Sequence, residues 1–420
     1  MRRGLRNKMR ICLLSYRGHP YCGGQGIYIH QLSKALCGLG HEVQILSGTP
    51  HPHVIDEVKV IKLESLDVYS WNGRLPERPL RILKPLNFYE VASVLTGAFP
   101  EPFTFSMRAY AKLRGLLRRE KFDVFHDNQC LGYGLLLVKS FGIPVVSTIH
   151  HPVTVDRNID VGNAKGWWQK FKMVRWYSFL TMQRYVSRRM DRILAVSRNS
   201  AEDTERAFRI PHEKFRIVHN GVDIDLFERD QSVQKKPHSL IVVGGHSPIK
   251  GLAHLLKAMR QLRGEIELNL TIVGGSPDGK YSSGLVREYG LQDIVTFTGR
   301  ISHEELVKKY SSAEVAVVPS LYEGFGFPAA EAMSCGLPVI STTAGALPEV
   351  VGPDGEAGML VPPADSDALA EAIKRLLSDE VLRRRMGEAA RRRVESNFTW
   401  DAAARNTVAV YEEIVSPCSR

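Results

Sequence analysis

The sequence predicts an α/β chain with two successive open parallel sheets, each covered by helices on both faces. Three observations predict it. Short apolar runs alternate with amphipathic stretches along the whole chain, the pattern of parallel strands joined by crossover helices. Glycine-rich loops, Gly23-Gly24 with Gly26 and later Gly244-Gly245, follow the first strand of each half. The same strand, loop, helix, strand pattern restarts near Leu240 after a polar stretch without periodicity. At 420 residues and 44% hydrophobic content the chain can fill two cores.

In the first half, residues 10–15 read as a strand, and the helix after the glycine loop places Ile29, Leu32, Leu36 and Leu39 on one face. Gly40 ends that helix and residues 43–46 begin the next strand. Further strands are expected at 122–126, 144–149, 192–196 and 215–218, and the charged segment 228–238 is the expected linker. The second half opens with a strand at 240–243 and a helix with Leu252, Leu255, Leu256, Met259 and Leu262 on one side. A strand at 268–273 follows, then one at 294–297 and a helix opened by Ser302 with Glu305 in capping-box register. A strand at 315–318, a helix carrying Glu331 and a strand at 338–341 complete the expectation. Ligands of such sheets sit beyond the carboxyl ends of the strands, where these glycine loops lie.

A formal charge of +11 and a pI near 9.3 favour anionic partners such as nucleotides, nucleic acid or an acidic membrane surface, without choosing among them. No recognised nucleic-acid module is present, which disfavours that class. The six cysteines, Cys12, Cys22, Cys37, Cys130, Cys335 and Cys418, form no C-x-x-C pair and no metal-ligand spacing. A reducing compartment and no structural zinc are expected. The basic start precedes an apolar run at 11–14 too short for a secretory core, Met9 being an alternative start, and no later run of about twenty uncharged apolar residues offers a membrane span. The expectation is a cytoplasmic protein, soluble or peripheral.

The stretch EGFGFPAAE, from Glu323 to Glu331, places two carboxylates around a strand-to-helix turn. The run 315–318 ahead of it is a buried strand, and Pro328 suits the first turn of a helix, so Glu323 lies in the loop and Glu331 one turn into the helix. Helix-start amides favour anions, glycines let a ligand approach the backbone, and a carboxylate can accept from two adjacent hydroxyls. Such a turn fits a sugar joined to a phosphate. An ordinary glycine-containing loop with two surface glutamates is the alternative on this stretch alone.

With these residues the chain resembles the retaining, nucleotide-sugar-dependent glycosyltransferases of family 4. The likeness is carried by EGFGFPAAE with AMSCGLPVIST behind it, by GGQGIYIHQLSKAL and by HNGVD at residues 219–223. It implies the GT-B fold, two Rossmann-like domains facing each other across a deep cleft. Residues 9–229 would be the acceptor-side domain, 238–395 the donor-side domain, and 396–420 a terminal helix returning to the first. The resemblance implies that Glu331 binds the ribose hydroxyls, that Glu323 faces the transferred sugar, and that the backbone of Phe325, Gly326 and Phe327 touches sugar and phosphate. Gly24 would let the N-terminal helix approach the diphosphate, and His150 matches a histidine near the sugar, His151 being the weaker of the pair. Arg300 and Ile301 would contact the base through main chain, and Lys250 would offset charge on the leaving diphosphate.

Two positions depart from the family. An arginine usually stands five positions before the lysine, where this chain has Gly245; its loss should cost a few kcal/mol of transition-state stabilisation unless His246 or Arg300 substitutes. Ala346 replaces the second glycine of a usual pair, and a loop less able to approach a ligand is expected there. The implied reaction is hexosyl transfer from a UDP- or GDP-sugar to a hydroxyl, with no cofactor, no metal and no covalent enzyme intermediate, since no D-x-D motif follows a strand near these loops. A sugar-nucleotide epimerase of the same shape and a non-catalytic sugar-nucleotide-binding protein are the alternatives.

Residues 167–190 interleave aromatics with Lys170, Lys172, Arg175, Arg184, Arg188 and Arg189. They read as one helix packed on the sheet with its charges solvated, or else as an interfacial helix on an anionic membrane serving a lipid-linked acceptor. The runs Arg383-Arg384-Arg385 and Arg391-Arg392-Arg393 are expected on the exposed side of a late helix.

Overall fold

The structure, a computed structural model, describes residues 8–18, 24–68, 79–164, 166–244, 247–274 and 281–415. Cys22, Gly23, Gly245, His246, Cys418 and residues 69–78 lie outside the described residues. The strands are β1 (Arg10–Ser15), β2 (Glu42–Ser47), β3 (Lys59–Lys62), β4 (Val124–Asn128), β5 (Val145–Ile149), β6 (Arg192–Ala195), β7 (Phe215–Ile217), β8 (Ser239–Val243), β9 (Asn269–Val273), β10 (Val295–Gly299), β11 (Val315–Val318), β12 (Val339–Thr342) and β13 (Gly358–Val361). Two units result. The first holds Met1–Val196, Ser200–Val218 and Ala403–Arg420, the second Ser197–Asn199 and His219–Ala402.

The first unit has a seven-stranded sheet in the order β3-β2-β1-β4-β5-β6-β7, and the second a six-stranded sheet in the order β10-β9-β8-β11-β12-β13. Every strand pair is parallel. Central strands of such sheets are covered on both faces and read as unbroken apolar runs. Accordingly Ile11, Cys12, Leu13 and Leu14 of β1 and all of β11 are buried. These are the two α/β halves that the sequence predicts.

Two strands go unread in the sequence. β3 and β13 lie at the edges of their sheets, where the lysines at both ends of β3 and the glycine that opens β13 break the apolar run that marks a strand such as β11. β4 starts two residues later than expected, because the Asp123 side chain turns back to accept from Arg10 N at 2.6 Å. Segment 228–238 has no regular secondary structure and is held by the second unit: Asp230 N donates to Ser311 Oγ at 2.9 Å and His238 N to Glu314 Oε2 at 2.9 Å.

Residues 167–190 do not form the single sheet-packed helix of the first reading. They form two helices, Trp167–Trp176 and Phe179–Ser187, and no residue of the first is buried. Only one end of that helix turns inward, where Trp176 packs on Phe99 with ring centroids 5.2 Å apart. The arginine runs correct a second expectation. Arg383 donates to Leu376 O and Leu377 O at 2.8 and 2.7 Å, caps the preceding helix, and pairs with Glu314 at 3.0 Å. Arg393 donates to Val350 O and Glu349 O, both at 2.8 Å. The reason is helical geometry: in a helix running over Glu380–Asn397, three consecutive residues span more than half the circumference, so at least one of each triplet must face inward.

Arg391 fastens the start of the second unit, donating through Nη1 to Ile224 O, Phe227 O and Ser334 O at 3.1, 3.0 and 2.7 Å. Charge-assisted bonds of this kind contribute more than neutral ones. Arg391→Ala is expected to lower the unfolding free energy by about 2 kcal/mol, measured by urea titration; a loss within error of zero would show that the three carbonyls are equally well served by water.

Candidate active site

Each sheet has one place where the strand order reverses. In the first unit it lies between β1 and β4, in the second between β8 and β11. Loops leaving neighbouring strands at such a point run in opposite directions and open a crevice at the carboxyl edge. In the second sheet β8 and β11 pair only at Val315↔Leu240 and Ala316↔Ile241, so their carboxyl ends are free to part.

The loop after β8 carries Lys250 and the loop after β11 carries Glu323. Lys250 Nζ donates to Glu323 Oε1 at 2.7 Å, and Ser320 Oγ donates to the same oxygen at 2.8 Å. Glu323 is almost wholly covered while Lys250 is about one-third exposed, so the carboxylate anchors the ammonium from beneath. The backbone enforces the meeting. Leu321 N donates to Ile249 O at 2.7 Å, and Gly251, at φ +67°, lies so close to Pro319 that a Cβ there would stand 1.8 Å from its carbonyl oxygen. Only glycine satisfies both the left-handed backbone and that contact.

Glu323 is gripped from its other side by the loop after β12. Ala346 N donates to Glu323 O at 3.0 Å, and Gly345, at φ +59°, sits where a Cβ would approach that same oxygen to 2.2 Å. The glycine kept here is therefore the one whose backbone must come close; Ala346 has an ordinary right-handed backbone and is fully buried, so its methyl group packs without strain.

Gly326, at φ +98°, opens the helix Phe327–Ser334, with Pro328 in its first turn. The Phe325 and Phe327 rings stack edge to face at 5.2 Å and turn to Phe398 and Trp400, which leaves their backbone to face the loop. Glu331 stands one turn into this helix. Tyr310 OH donates to Glu331 Oε2 at 3.4 Å and to Pro328 O at 3.3 Å. Burial pushes the Glu331 carboxyl up to about 7, against the lowering effects of the Tyr310 hydroxyl and the Lys250 charge. Arg300, exposed, and Ile301, half-buried, lie between β10 and the Ser302 cap of the helix that carries Tyr310. That helix connects them to Glu331; neither is hydrogen-bonded to the Lys250–Glu323 pair among the described residues.

In the first unit, Gly24 opens the helix Gly24–Gly38 after β1 and is exposed. Across the reversal, β4 ends in His126, Asp127 and Asn128, polar residues in a wholly buried strand. Buried polar groups must find partners. Asn128 Nδ2 donates to Gln25 O at 3.2 Å, which ties the two sides of the crevice together, and Asn128 Oδ1 lies 2.7 Å from His150 Nε2. A carbonyl oxygen only accepts, so the His150 proton sits on Nε2. His150 also packs edge to face on Tyr28 at 4.8 Å, and burial, with His151 and His126 adding, pushes its pKa down to about 3. It is a neutral imidazole at physiological pH. His151 instead bonds Asp156 at 2.8 Å, outside this arrangement.

Behind His150 runs a closed network. Thr148 Oγ1 meets Tyr28 OH at 2.8 Å and His126 Nε2 at 2.6 Å, while His126 Nδ1 meets Tyr411 OH of the helix Trp400–Val415 at 2.5 Å. Sequence reasoning singled out none of Tyr310, Ser320, Asn128, Thr148 or Tyr411. Polar residues closing a buried strand, as in β4, are the one signal that was available for Asn128. Among the described residues no three His, Cys, Asp or Glu side chains converge as a metal site would require.

Two reversing parallel sheets, one of them bearing an ammonium and a carboxylate on facing loops, define a GT-B sugar-transferring protein. Comparison with known proteins agrees over nearly the whole length. The description "Glycosyltransferase Family 4" matches residues 22–226 and "Glycosyl transferases group 1" residues 223–393. The MMP α-(1→4)-mannosyltransferase of Mycolicibacterium hassiacum is 44% identical over 97% of this chain and 99% of its own. Among solved structures, the sucrose-phosphate synthase of Thermosynechococcus elongatus aligns with a TM-score of 0.72 at 27% identity, over 97% of this chain and 99% of its own. Anabaena Alr3699/HepE, solved in complex with UDP, shares the fold with a TM-score of 0.70 at 18% identity, over 97% and 100%. The chain belongs to glycosyltransferase family 4, and it is a glycosyltransferase.

The raised Glu331 carboxyl has a consequence for stability. Its folded value lies above the unfolded one, so the native state binds the proton more tightly, and stability falls as pH rises from about 4.5 to about 7 and then levels. Glu331→Gln removes that dependence. Thermal melts at pH 5 and pH 8 are expected to show the wild type losing ground to the variant at the higher pH; a difference equal at both would place the proton elsewhere.

Proposed function

We propose that the enzyme transfers a hexosyl group, a mannosyl group in the first instance, from a UDP- or GDP-sugar to an acceptor hydroxyl with retention at the anomeric carbon. The observation that carries this reading is the 2.7 Å contact between Lys250 and Glu323 where the second sheet reverses. Mannose is favoured by the 44% identity to a mannosyltransferase, whose α-(1→4) product also points to a 4-hydroxyl acceptor on a sugar. A nucleoside diphosphate fits the fold neighbour solved with UDP.

In this reading the Lys250 ammonium swings a short distance from Glu323 to the diphosphate and stabilises the negative charge that grows as the glycosidic bond breaks. Glu323, relieved of the ammonium, accepts from hydroxyls of the sugar. Glu331 accepts from both ribose hydroxyls, which favours its ionised form, while the main chain of Phe325, Gly326 and Phe327 meets sugar and phosphate. Arg300 and Ile301 take the base, Gly24 lets the first helix start approach the diphosphate, and neutral His150, its Nε2 proton held by Asn128, accepts from a sugar hydroxyl through Nδ1. The leaving phosphate itself takes the acceptor proton on the same face, so neither a metal ion nor a covalent intermediate is needed. Orientation and charge stabilisation carry the rate.

The test is nucleotide release from GDP-mannose and UDP-sugars with and without mannoside acceptors. Release should require acceptor, the product should keep the α configuration by NMR, and Lys250→Ala or Glu323→Ala should lower kcat/KM about 100-fold or more. A new sugar nucleotide formed from donor alone would instead make the protein an epimerase, and donor binding without turnover on any acceptor would make it a binding protein.

We further propose that the first unit contacts an anionic membrane surface, as an enzyme of cell-envelope glycolipid or polysaccharide synthesis on the cytoplasmic face would. No helix among the described residues is long and apolar enough to cross a membrane. The helix Trp167–Trp176 instead turns Trp167, Trp168, Phe171 and Val174 outward, at 76, 53, 54 and 45% exposure. On a helical wheel these form one stripe with Lys170 and Lys172 at its flanks, the arrangement of an interfacial helix. Arg175 falls within the same stripe, and its Nη2 donates to Thr96 Oγ1 at 3.1 Å, next in sequence to the exposed Leu95. Sedimentation with phosphatidylglycerol vesicles is expected, with weaker association on pure phosphatidylcholine, at high salt and in Trp167→Ser/Phe171→Ser. Self-association lost in that variant, without vesicle binding, would assign the stripe to a second copy of the chain.

A further inference from the structure

The second unit contains a cavity of about 730 Å³ for which the transfer reaction has no use. It opens at the carboxyl end of the helix Phe327–Ser334, where Ser334, Cys335 and Gly336 form part of its lining, whereas the proposed donor loop lies at the opposite end. Its charge is unbalanced. Arg229, Lys235, Arg383, Arg384, Arg391 and Arg392 line it against Glu228, Glu314, Glu380 and Glu388, six cations to four carboxylates.

Two of the six are occupied by the fold. Arg383 pairs with Glu314, whose second oxygen accepts from His238 N, and Arg391 is spent on three carbonyls and on Glu395 at 2.6 Å. Arg229 and Lys235 are different: both are half-buried, and neither side chain donates to any acceptor among the described residues. Arg229 Nε is shut off from solvent with no partner, a condition that folded proteins avoid. The Lys235 ammonium is held below the ordinary lysine range by burial first, then by the charge of Arg229, with Glu314 opposing and Arg383 adding to the repulsion. Arg384 and Arg392 stand exposed at the rim, Arg392 only loosely paired with Glu388 at 4.0 Å.

We propose that this cavity is a second ligand site, which takes a small phosphate-bearing anion of the phosphomonoester class. A phosphate dianion presents several acceptor oxygens to a fork of donors and neutralises the two cations that now repel each other. None of the lining residues is aromatic, so no wall is offered to a base, and the volume suits a sugar phosphate. The site is separate from the donor loop and does not depend on the assigned reaction.

The experiment is calorimetric titration with inorganic phosphate and with a hexose 1-phosphate, against chloride at equal ionic strength. Wild type and Lys250→Ala should bind alike, and Arg229→Ala/Lys235→Ala should weaken binding about tenfold or more. A tighter hexose phosphate identifies the sugar ester as the ligand, equal affinities the phosphate group alone, and either sustains the site. Binding that survives the double substitution, that disappears in Lys250→Ala, or that is matched by chloride would overturn it. Should the double variant fail to fold, Arg384→Ala/Arg392→Ala on the exposed helix face is expected to weaken phosphate about threefold, and unchanged affinity there would likewise end the proposal.

Discussion

The contact between Lys250 and Glu323 depends on three separate loops being brought to one point by their backbones. Gly251 wedges the lysine loop under Pro319, Gly345 presses the loop after β12 onto the Glu323 carbonyl, and Ser320 completes the carboxylate's partners. A carboxylate this well covered would be costly alone, and the ammonium removes most of that cost. The pair is thus a stored charge arrangement, with the cation held in place by the fold itself.

The first unit solves the corresponding problem without charge. β4 ends in three buried polar residues beside the reversal in strand order, and the structure satisfies His126 and Asn128 by a chain of hydrogen bonds through Thr148, Tyr28 and His150. Because the ring of His150 is fixed on one side by Asn128 and packed by Tyr28 on another, its tautomer and orientation are set by the protein. Its one proton is committed to Asn128, so the group the ring has left to offer is an oriented acceptor, Nδ1.

The fold was legible because its central strands, such as β1 and β11, are buried on both faces and therefore spelled out as apolar runs, with glycines where chain direction changes. Edge strands β3 and β13 were not, since lysines stand at both ends of the one and a glycine opens the other, so neither spells out an apolar run. Within the candidate site, Lys250, Glu323 and Glu331 stand in stretches that the sequence marks out, yet Tyr310 and Ser320, which bond the two glutamates, do not, because their role arises only when distant segments meet. The helix at Trp167–Trp176 and the arginine triplets misled for a related reason. Amphipathic spacing reveals that a helix has two faces, but whether the apolar one meets the sheet or looks outward is decided by tertiary packing.

The first unit is discontinuous: its sheet is complete by Val218, but Tyr411 and Glu413, which bond His126 of β4 and Arg192 of β6, arrive only after the 184 residues from His219 to Ala402 have been made. During synthesis the second unit can therefore finish folding while the first still lacks its closing helix. On the ribosome, the half that carries the Lys250–Glu323 pair can thus mature ahead of the half that was translated first.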